Sequence, residues 1–353
     1  MSVSRTPATM TEIAAALGVS SATVSNALSG KGRVSAELTA KIRQATVDLG
    51  YVPSQAARTL RTGRTGVIGL VLPDISNPLF PQIAQAIEQA AAAAGYGVLI
   101  ADSRGEIAQQ TAAIGRLIER GVDGIIIVPR RGSRVGEIGT PVAIIDSPST
   151  PGNTVSSDHW DGGVQMGRHL AGLGHCKVLL IAQSSASNVQ NDRIGGLKAG
   201  LGKNICHETL LVENLEAIKG AGCALGLAAK VADGFTAFAA VYDLLALRAL
   251  TELQRDGTEV PRQASVSGFD DLVWSSVVTP PITTLRQDLA TIAERAVEAL
   301  SDAITDSETP FGGPAVAKQS VEGVAMTLVV RQSTGQAMEP VVVPVADTRE
   351  DSR

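Results

Sequence analysis

The chain has 353 residues, 44% of them hydrophobic and 18% charged, with a formal net charge of −5. This length predicts two or three domains with sizeable cores, and the overall charge by itself gives no reason to expect a polyanionic partner. Three cysteines (Cys176, Cys206, Cys223), an odd count without CxxC spacing, argue against a disulfide framework and a zinc site. No run approaches the roughly 18 to 20 apolar residues of a membrane span, and no apolar signal core opens the chain, so a cytoplasmic location without membrane contact is expected.

The charge is unevenly spread. Dividing the chain at the turn-like "TGRTG" leaves residues 1–65 with eight Lys or Arg against three acids, a net of +5, and the remainder with 22 against 32, a net of −10. A basic head on an acidic body fits a nucleic-acid-binding unit, although a short basic segment can equally be a solvated face.

In the head, Thr9 followed by Glu12 has capping-box spacing and opens a helix with Ile13 and Leu17 on one face, which Gly18 ends. After the turn, Ser20 or Ser21 can cap a second helix that buries Val24, Ala27 and Leu28 and leaves Ser21, Ala22, Ser25 and Asn26 on or near its outer face. Ser35 starts a third, with the stripe Leu38, Ile42, Ala45 and Leu49, stopped by Gly50.

From Gly66 onward apolar β-runs alternate with Ala-rich helical segments: "GVIGLVL", a helix from about Leu79 to Ala94, "GVLIA", a helix to about Arg120, "GIIIV" and "VAIID". A second series follows Gly163: a helix to about Leu173, "KVLLIA", a helix from Asp192, a weaker strand near Leu210, a helix to about Val231, "FAAV", a helix from Asp243 and "ASVSG". Near-continuous apolar strands between helices predict two α/β subdomains, each built on a parallel sheet covered on both faces. Ligands of such sheets sit beyond the carboxyl ends of the strands. The candidates there are Asp74, Asp102, Asp146, Asp243, and Asp270 with Asp271. Carboxylates accept hydrogen bonds from neighbouring hydroxyls, which suits a polyhydroxylated ligand, but each singly can instead cap the next helix. The tail, residues 336–353, has no helical period and no leucine heptads, so it predicts a disordered or extended appendage and no assembly larger than a dimer.

Several segments in order resemble the lactose-repressor (LacI/GalR) family of bacterial transcriptional regulators. "TEIAAALGVSSATVSNALSGKGRVS" is similar to that family's helix-turn-helix, and "LGYVPSQAARTLRTGRTGVIGLVLPDISNPLF" to its hinge and first body strand. "ERGVDGIIIVP", "SSDHWDGG" with "HLAGLGH", "DRIGGLKAGL", "VPRQASVSGFDD" and "TPPITTLRQDL" follow in family order. The resemblance implies an all-α helix-turn-helix head (1–52), a hinge helix and linker (53–65), and a two-lobed body like periplasmic sugar-binding proteins (66–335). The N-lobe would take about 66–161 and 289–320, and the C-lobe about 162–288 and 321–335.

The resemblance also implies roles. The second helix would enter the major groove of double-stranded operator DNA with Ser21, Ala22, Thr23, Ser25 and Asn26, and Asn26 departs from the Arg common there. In the hinge, Leu60 would wedge into the minor groove beside the Ala56 and Ala57 backbone, or else be a linker residue packed on the body. Arg193 and Asp270 match positions that hydrogen-bond sugar hydroxyls, so a small-molecule effector (a sugar, sugar phosphate or sugar acid, less readily a nucleobase or nucleoside) would bind between the lobes with Asp74, Asp146 and Tyr242. Tyr242 stands where the family has Asn, and His159 and Trp160 depart from its Asn pattern. Trp160 offers a ring face to a ligand or packs at the lobe crossing.

The implied protein is a homodimeric, effector-controlled repressor with no cofactor, although activation is possible from the same architecture. An enzyme is the first rival, but adjacent carboxylates such as Asp270 and Asp271 usually point apart, and neither GxSxG nor HExxH occurs. "GGLKAGLGKN" fails as a phosphate loop at Leu197 and Asn204. The four His, with His169 and His175 on a helix end and a turn, form no metal-ligand cluster. A sugar-binding transport or sensor protein is the second rival, and it leaves the basic head unexplained.

Overall fold

A computed structural model describes residues 8–29, 32–51, 59, 63–130, 132, 138–307, 317 and 323–338. The chain divides into two compact units, Met1–Thr65 and Gly66–Arg353.

The first unit carries α1 (Met10–Leu17), α2 (Ser21–Ser29) and α3 (Ala36–Asp48). The capping box forms in full: Thr9 Oγ1 accepts from Glu12 N, and the Glu12 carboxylate accepts from Thr9 N at 2.6 Å. Gly18 ends α1 in the left-handed conformation (φ +66°) that a Cβ would strain. Ser20, and not Ser21, supplies the oxygen that accepts from Thr23 N, and Ser35 does the same for Leu38 N. Ile13, Ala14, Val24, Ala27 and Ile42 form the small shared core. The expected stripe on α3 is interrupted at its end: the helix stops at Asp48, Leu49 is exposed, and Tyr51 packs against the core instead. The hinge residues Ala56, Ala57 and Leu60 lie outside the described residues.

The second unit contains two four-stranded parallel sheets. The N-lobe sheet is built from β1 (Val67–Leu72), β2 (Gly97–Asp102), β3 (Gly124–Ile127) and β4 (Val142–Ile144) in the order β2-β1-β3-β4. It is covered by α4 (Leu79–Ala93) and α12 (Leu289–Asp306) on one side and α5 (Ile107–Glu119) on the other. The C-lobe repeats that order as β6-β5-β7-β8, with β5 (Lys177–Ala182), β6 (Cys206–Leu211), β7 (Ala237–Ala240) and β8 (Ser265–Ser267). Its helices are α6 (His159–Gly172), α7 (Asn188–Leu201), α8 (Val212–Lys219), α9 (Leu227–Ala232), α10 (Asp243–Arg255) and the short α11 (Val273–Val277). Strands β1, β3, β5 and β7 are buried over nearly their whole length, the signature of a sheet covered on both faces.

The described residues place three crossings of the chain between the lobes. The chain leaves the N-lobe after Ile145, which bridges to Val155, and enters α6. It returns from β9 (Thr284–Arg286) into α12. It crosses again on the way to β10 (Thr327–Val329): Ala317 N donates to Val142 O in the N-lobe, while Met326 is buried in the C-lobe core. Ala337 N donates to Leu173 O, so the chain stays attached beyond Gln336, where the tail was expected to begin. Among the described residues no helix is long and apolar enough to cross a membrane, and no group of three or more His, Cys, Asp or Glu is placed to hold a metal ion.

Candidate functional site

The strand ends of the two lobes face a shared cavity of about 480 Å³, within the size range of small-molecule sites. Five of the six expected ligand-binding residues line it: Asp74 and Asp146 from the N-lobe, Arg193, Tyr242 and Asp270 from the C-lobe. Phe80, Asn77, Gln183, His159 and Gln287 also contribute to its wall.

The centre of the C-lobe wall is a buried ion pair. Arg193 rises from α7, and its Nη2 donates to Asp270 Oδ1 at 2.8 Å with both side chains only 4% exposed. Arg193 Nη1 donates to Val241 O at 2.7 Å, Nε lies 3.4 Å from His159 Nδ1, and the guanidinium stacks on the Phe269 ring at 4.8 Å. Asp270 Oδ1 also accepts from Gln287 Nε2, whose Oε1 accepts from Ser157 Oγ, both at 2.8 Å. Asp270 holds a left-handed backbone (φ +101°), a conformation that side chains rarely adopt; these bonds and Asp270 N to Leu285 O oppose its relaxation.

His159 is fully buried at the start of α6 and donates to the Asp146 carbonyl. Because Nδ1 faces the Arg193 donor, the network places its proton on Nε2. Burial and the adjacent Arg193 charge hold its pKa well below the ordinary value, so it is neutral. Tyr242 donates to Gln183 Oε1 at 3.2 Å, and burial, with the Asp270 charge, raises its pKa.

The N-lobe carboxylates are less engaged. Asp74 Oδ1 accepts from Ser76 N and Oγ, and Asp146 Oδ2 accepts from Thr150 Oγ1. Neither caps a helix: Pro78 stands at the start of α4, and Asp158 caps α6. Burial pushes the Asp146 pKa up to about 6, helped by the neighbouring Asp192 and opposed by the Thr150 bond.

Four expectations are corrected, one at a helix start and three at strand ends. Trp160 does not line the cavity: it is 51% exposed, and its ring lies over Gly195 of α7, because α6 and α7 pack so closely that the residue beside His159 points away. Asp102 turns onto the Arg104 backbone N–H at 3.0 Å. Asp243 is buried behind the cavity wall, accepting from Leu272 N, Ser275 Oγ and Thr284 Oγ1 at 2.5–2.7 Å; burial and then Asp270 raise its pKa to about 7. Asp271 faces the other way, pairing with Arg286 and Arg331. Sequence reading passed over Gln287 and left His159 as an unexplained departure; the polar "RQD" after β9 was the one available signal for Gln287.

The first unit offers a different kind of surface. On α2, Val24 and Ala27 are buried while Ser21, Ala22 and Asn26 are exposed and Thr23 and Ser25 half-buried, so one polar face is turned outward. Asn26 lies against Gly32, whose added Cβ would stand 3.2 Å from its Nδ2. Arg33, Lys41 and Arg43 are exposed, and Lys41 pairs with Glu37 at 2.8 Å.

Residues 9–54 match the family described as bacterial regulatory proteins, lacI family, and residues 168–334 match the periplasmic binding protein-like domain. The chain is 30% identical to the HTH-type transcriptional regulator DegA of Bacillus subtilis (strain 168), over 80% of this chain and 87% of the relative. It is 30% identical to the HTH-type transcriptional regulator MalR of Streptomyces coelicolor, over 93% and 97%. Among solved structures, the lac repressor dimer bound to operator and the anti-inducer ONPF superposes with a TM-score of 0.74 at 25% identity, covering 94% of this chain and all of that one.

Proposed function

The chain belongs to the lacI family of bacterial regulatory proteins, and we propose that it is a cytoplasmic, homodimeric repressor, without catalytic activity, whose hold on operator DNA is set by a small polar effector in the interlobe cavity. The observation that carries the DNA-binding half is the outward polar face of α2, with Ser21, Ala22 and Asn26 exposed above buried Val24 and Ala27. A recognition helix presents such a face to base edges, where the Asn26 carboxamide can pair with adenine N6 and N7. Thr23 and Ser25 flank that face, Ala56 and Ala57 are assigned to the minor groove, and Leu60 is the apolar wedge there. Two-fold symmetry of the protein calls for a near-palindromic site.

The effector half rests on the cavity. Asp74 and Asp146 reach it from one lobe and Arg193, Tyr242 and Asp270 from the other. A ligand bonded to both sets changes the equilibrium between lobe arrangements, and coupling of this kind typically changes the second affinity by roughly 5- to 150-fold. The test is selection of genomic fragments by the purified full chain at moderate salt. Enrichment of a palindrome is expected, with affinity falling steeply in salt at a slope of about −0.9 per phosphate contact. Failure to enrich any sequence, both alone and with a metabolite extract, would sink the reading.

A further inference from the structure

Three carboxylates line the cavity, and each spends only one oxygen on protein partners. Asp270 uses Oδ1, for Arg193 and Gln287. Asp74 uses Oδ1, for Ser76, and Asp146 uses Oδ2, for Thr150. Among the described residues the second oxygen of each accepts no hydrogen bond, and none of the three is sealed from solvent. The wall therefore presents three acceptors that call for donors.

Among the described residues, the one buried cation of the cavity wall does not balance them. Arg193 lies between Asp270, the Val241 carbonyl and His159, so its charge is neutralised within the C-lobe wall. His159 adds none, being held neutral by burial and by Arg193. Arg130 also borders the cavity, but it is exposed, where water and salt weaken its field. Among the described residues, Asp74 and Asp146 have no buried counter-charge. An anion entering here would lose its hydration beside like charges, which is unfavourable on both counts.

Building on the effector reading above, we propose that the cavity selects a polyol carrying no negative charge, and that Asp270, by occupying Arg193, is what rejects sugar phosphates and sugar acids. Hydroxyls donate to the open oxygens of Asp74, Asp146 and Asp270, while Phe80 and Tyr242 give the carbon skeleton a hydrophobic face.

Two measurements on the full chain test this. In the first, a polar extract of the source organism is separated on an anion exchanger, and each fraction is assayed for changing the affinity of the selected operator. The active component is expected in the unretained, neutral or cationic, fraction, with a change of roughly 5- to 150-fold; activity confined to the retained anions overturns the proposal. This assay starts only once an operator has been selected, so failure of the regulator reading shows itself earlier.

The second needs neither DNA nor effector and decides when both fractions are inactive. Thermal midpoints are compared in inorganic phosphate and in chloride at matched ionic strength. Wild type is expected to show no phosphate-specific rise, and Asp270→Asn, which releases the Arg193 charge, is expected to gain one. A rise in wild type that Arg193→Gln abolishes overturns the proposal. No rise in either wild type or Asp270→Asn overturns the role given to Asp270. Should Asp270→Asn not fold, the wild-type response and its dependence on Arg193 decide.

Discussion

The two lobes share one strand order, yet they are held together by different means. In the C-lobe, α6 and α7 touch backbone to backbone: a Cβ on Gly163 would stand 2.5 Å from Arg193 O and 2.8 Å from Leu197 N, and Gly167, Gly196 and Gly200 meet the same crowding. Three phenylalanines, Phe235, Phe238 and Phe269, fill its interior. In the N-lobe, α4 and α12 pack through side chains beneath a surface groove of about 520 Å³ that alanines and the acids Glu294, Glu298 and Asp302 help to line, and the core is aliphatic. The polar groups follow the same division. Arg193, Asp270 and Asp243 are internally bonded and nearly sealed, whereas Asp74 and Asp146 remain half-exposed at their strand ends. The C-lobe thus presents a preset half of the cavity, and the N-lobe presents groups whose bonding a ligand can complete.

The sharpest way to break this contrast is to cut the C-lobe ion pair. Arg193→Ala leaves Asp270 buried without its partner and strips a donor from the Val241 carbonyl. Removing one member of a buried pair typically costs about 3–5 kcal/mol. Denaturant unfolding should show a loss of that size; a loss under about 1 kcal/mol, as for surface pairs, would mean that the pair is far better solvated than its 4% exposure implies.

Next in size is Gly163→Ala. The new methyl would meet the α7 backbone, which cannot move aside as a side-chain tip can, so α6 and α7 must separate. Overpacking of this kind costs about 1–3 kcal/mol and occasionally more. Gly172→Ala, on the same helix but with open space at its Cβ, should instead gain about 0.5–1 kcal/mol from helix propensity. Comparing the two midpoints isolates the close approach from the generic effect of glycine, and equal shifts would refute it.

Asp146→Asn probes the looser lobe through pH. Burial raises its folded pKa to about 6 from an ordinary 3.8, so the native state holds this proton more tightly than the unfolded chain does. Its contribution to stability is fully present below about pH 4 and is lost as pH rises through 6. Relative to wild type, the variant should therefore gain stability from pH 4 to about 6.5 and level off above, by at most about 3 kcal/mol. The opposite slope, or none, would show that the Thr150 bond outweighs burial.

Much of this organisation was legible beforehand, because it rests on local chemistry. Thr9 with Glu12, and Ser35, mark helix starts through bonds spanning three residues, and the parallel strands show as apolar runs flanked by helices. What escaped depends on contacts remote in sequence. Asp243 and Asp270 look alike as strand-end carboxylates, and only Ser275 and Thr284, far along the chain, place one behind the wall while Arg193 draws the other into it. His159 and Trp160 are neighbours, yet the rotation of α6 over the α7 glycines buries the first and turns the second outward. Leu49 fits the helical spacing, but the helix ends one residue too soon to carry it inward.

The smallest expected effect lies in the C-lobe sheet. Ser267, on β8, is fully buried, and its hydroxyl has no hydrogen-bond partner among the described residues. A hydroxyl stripped of water without compensation opposes folding by about 1–3 kcal/mol. Ser267→Ala removes that penalty at the cost of a small void, so it should be neutral or stabilising by about 1 kcal/mol, in contrast to Ser275→Ala. The Ser275 hydroxyl donates to Asp243 at 2.5 Å, and its loss should destabilise. If Ser267→Ala instead destabilises as much as Ser275→Ala, then its hydroxyl has a partner in solution, and the C-lobe interior holds bound water between β8 and its neighbours.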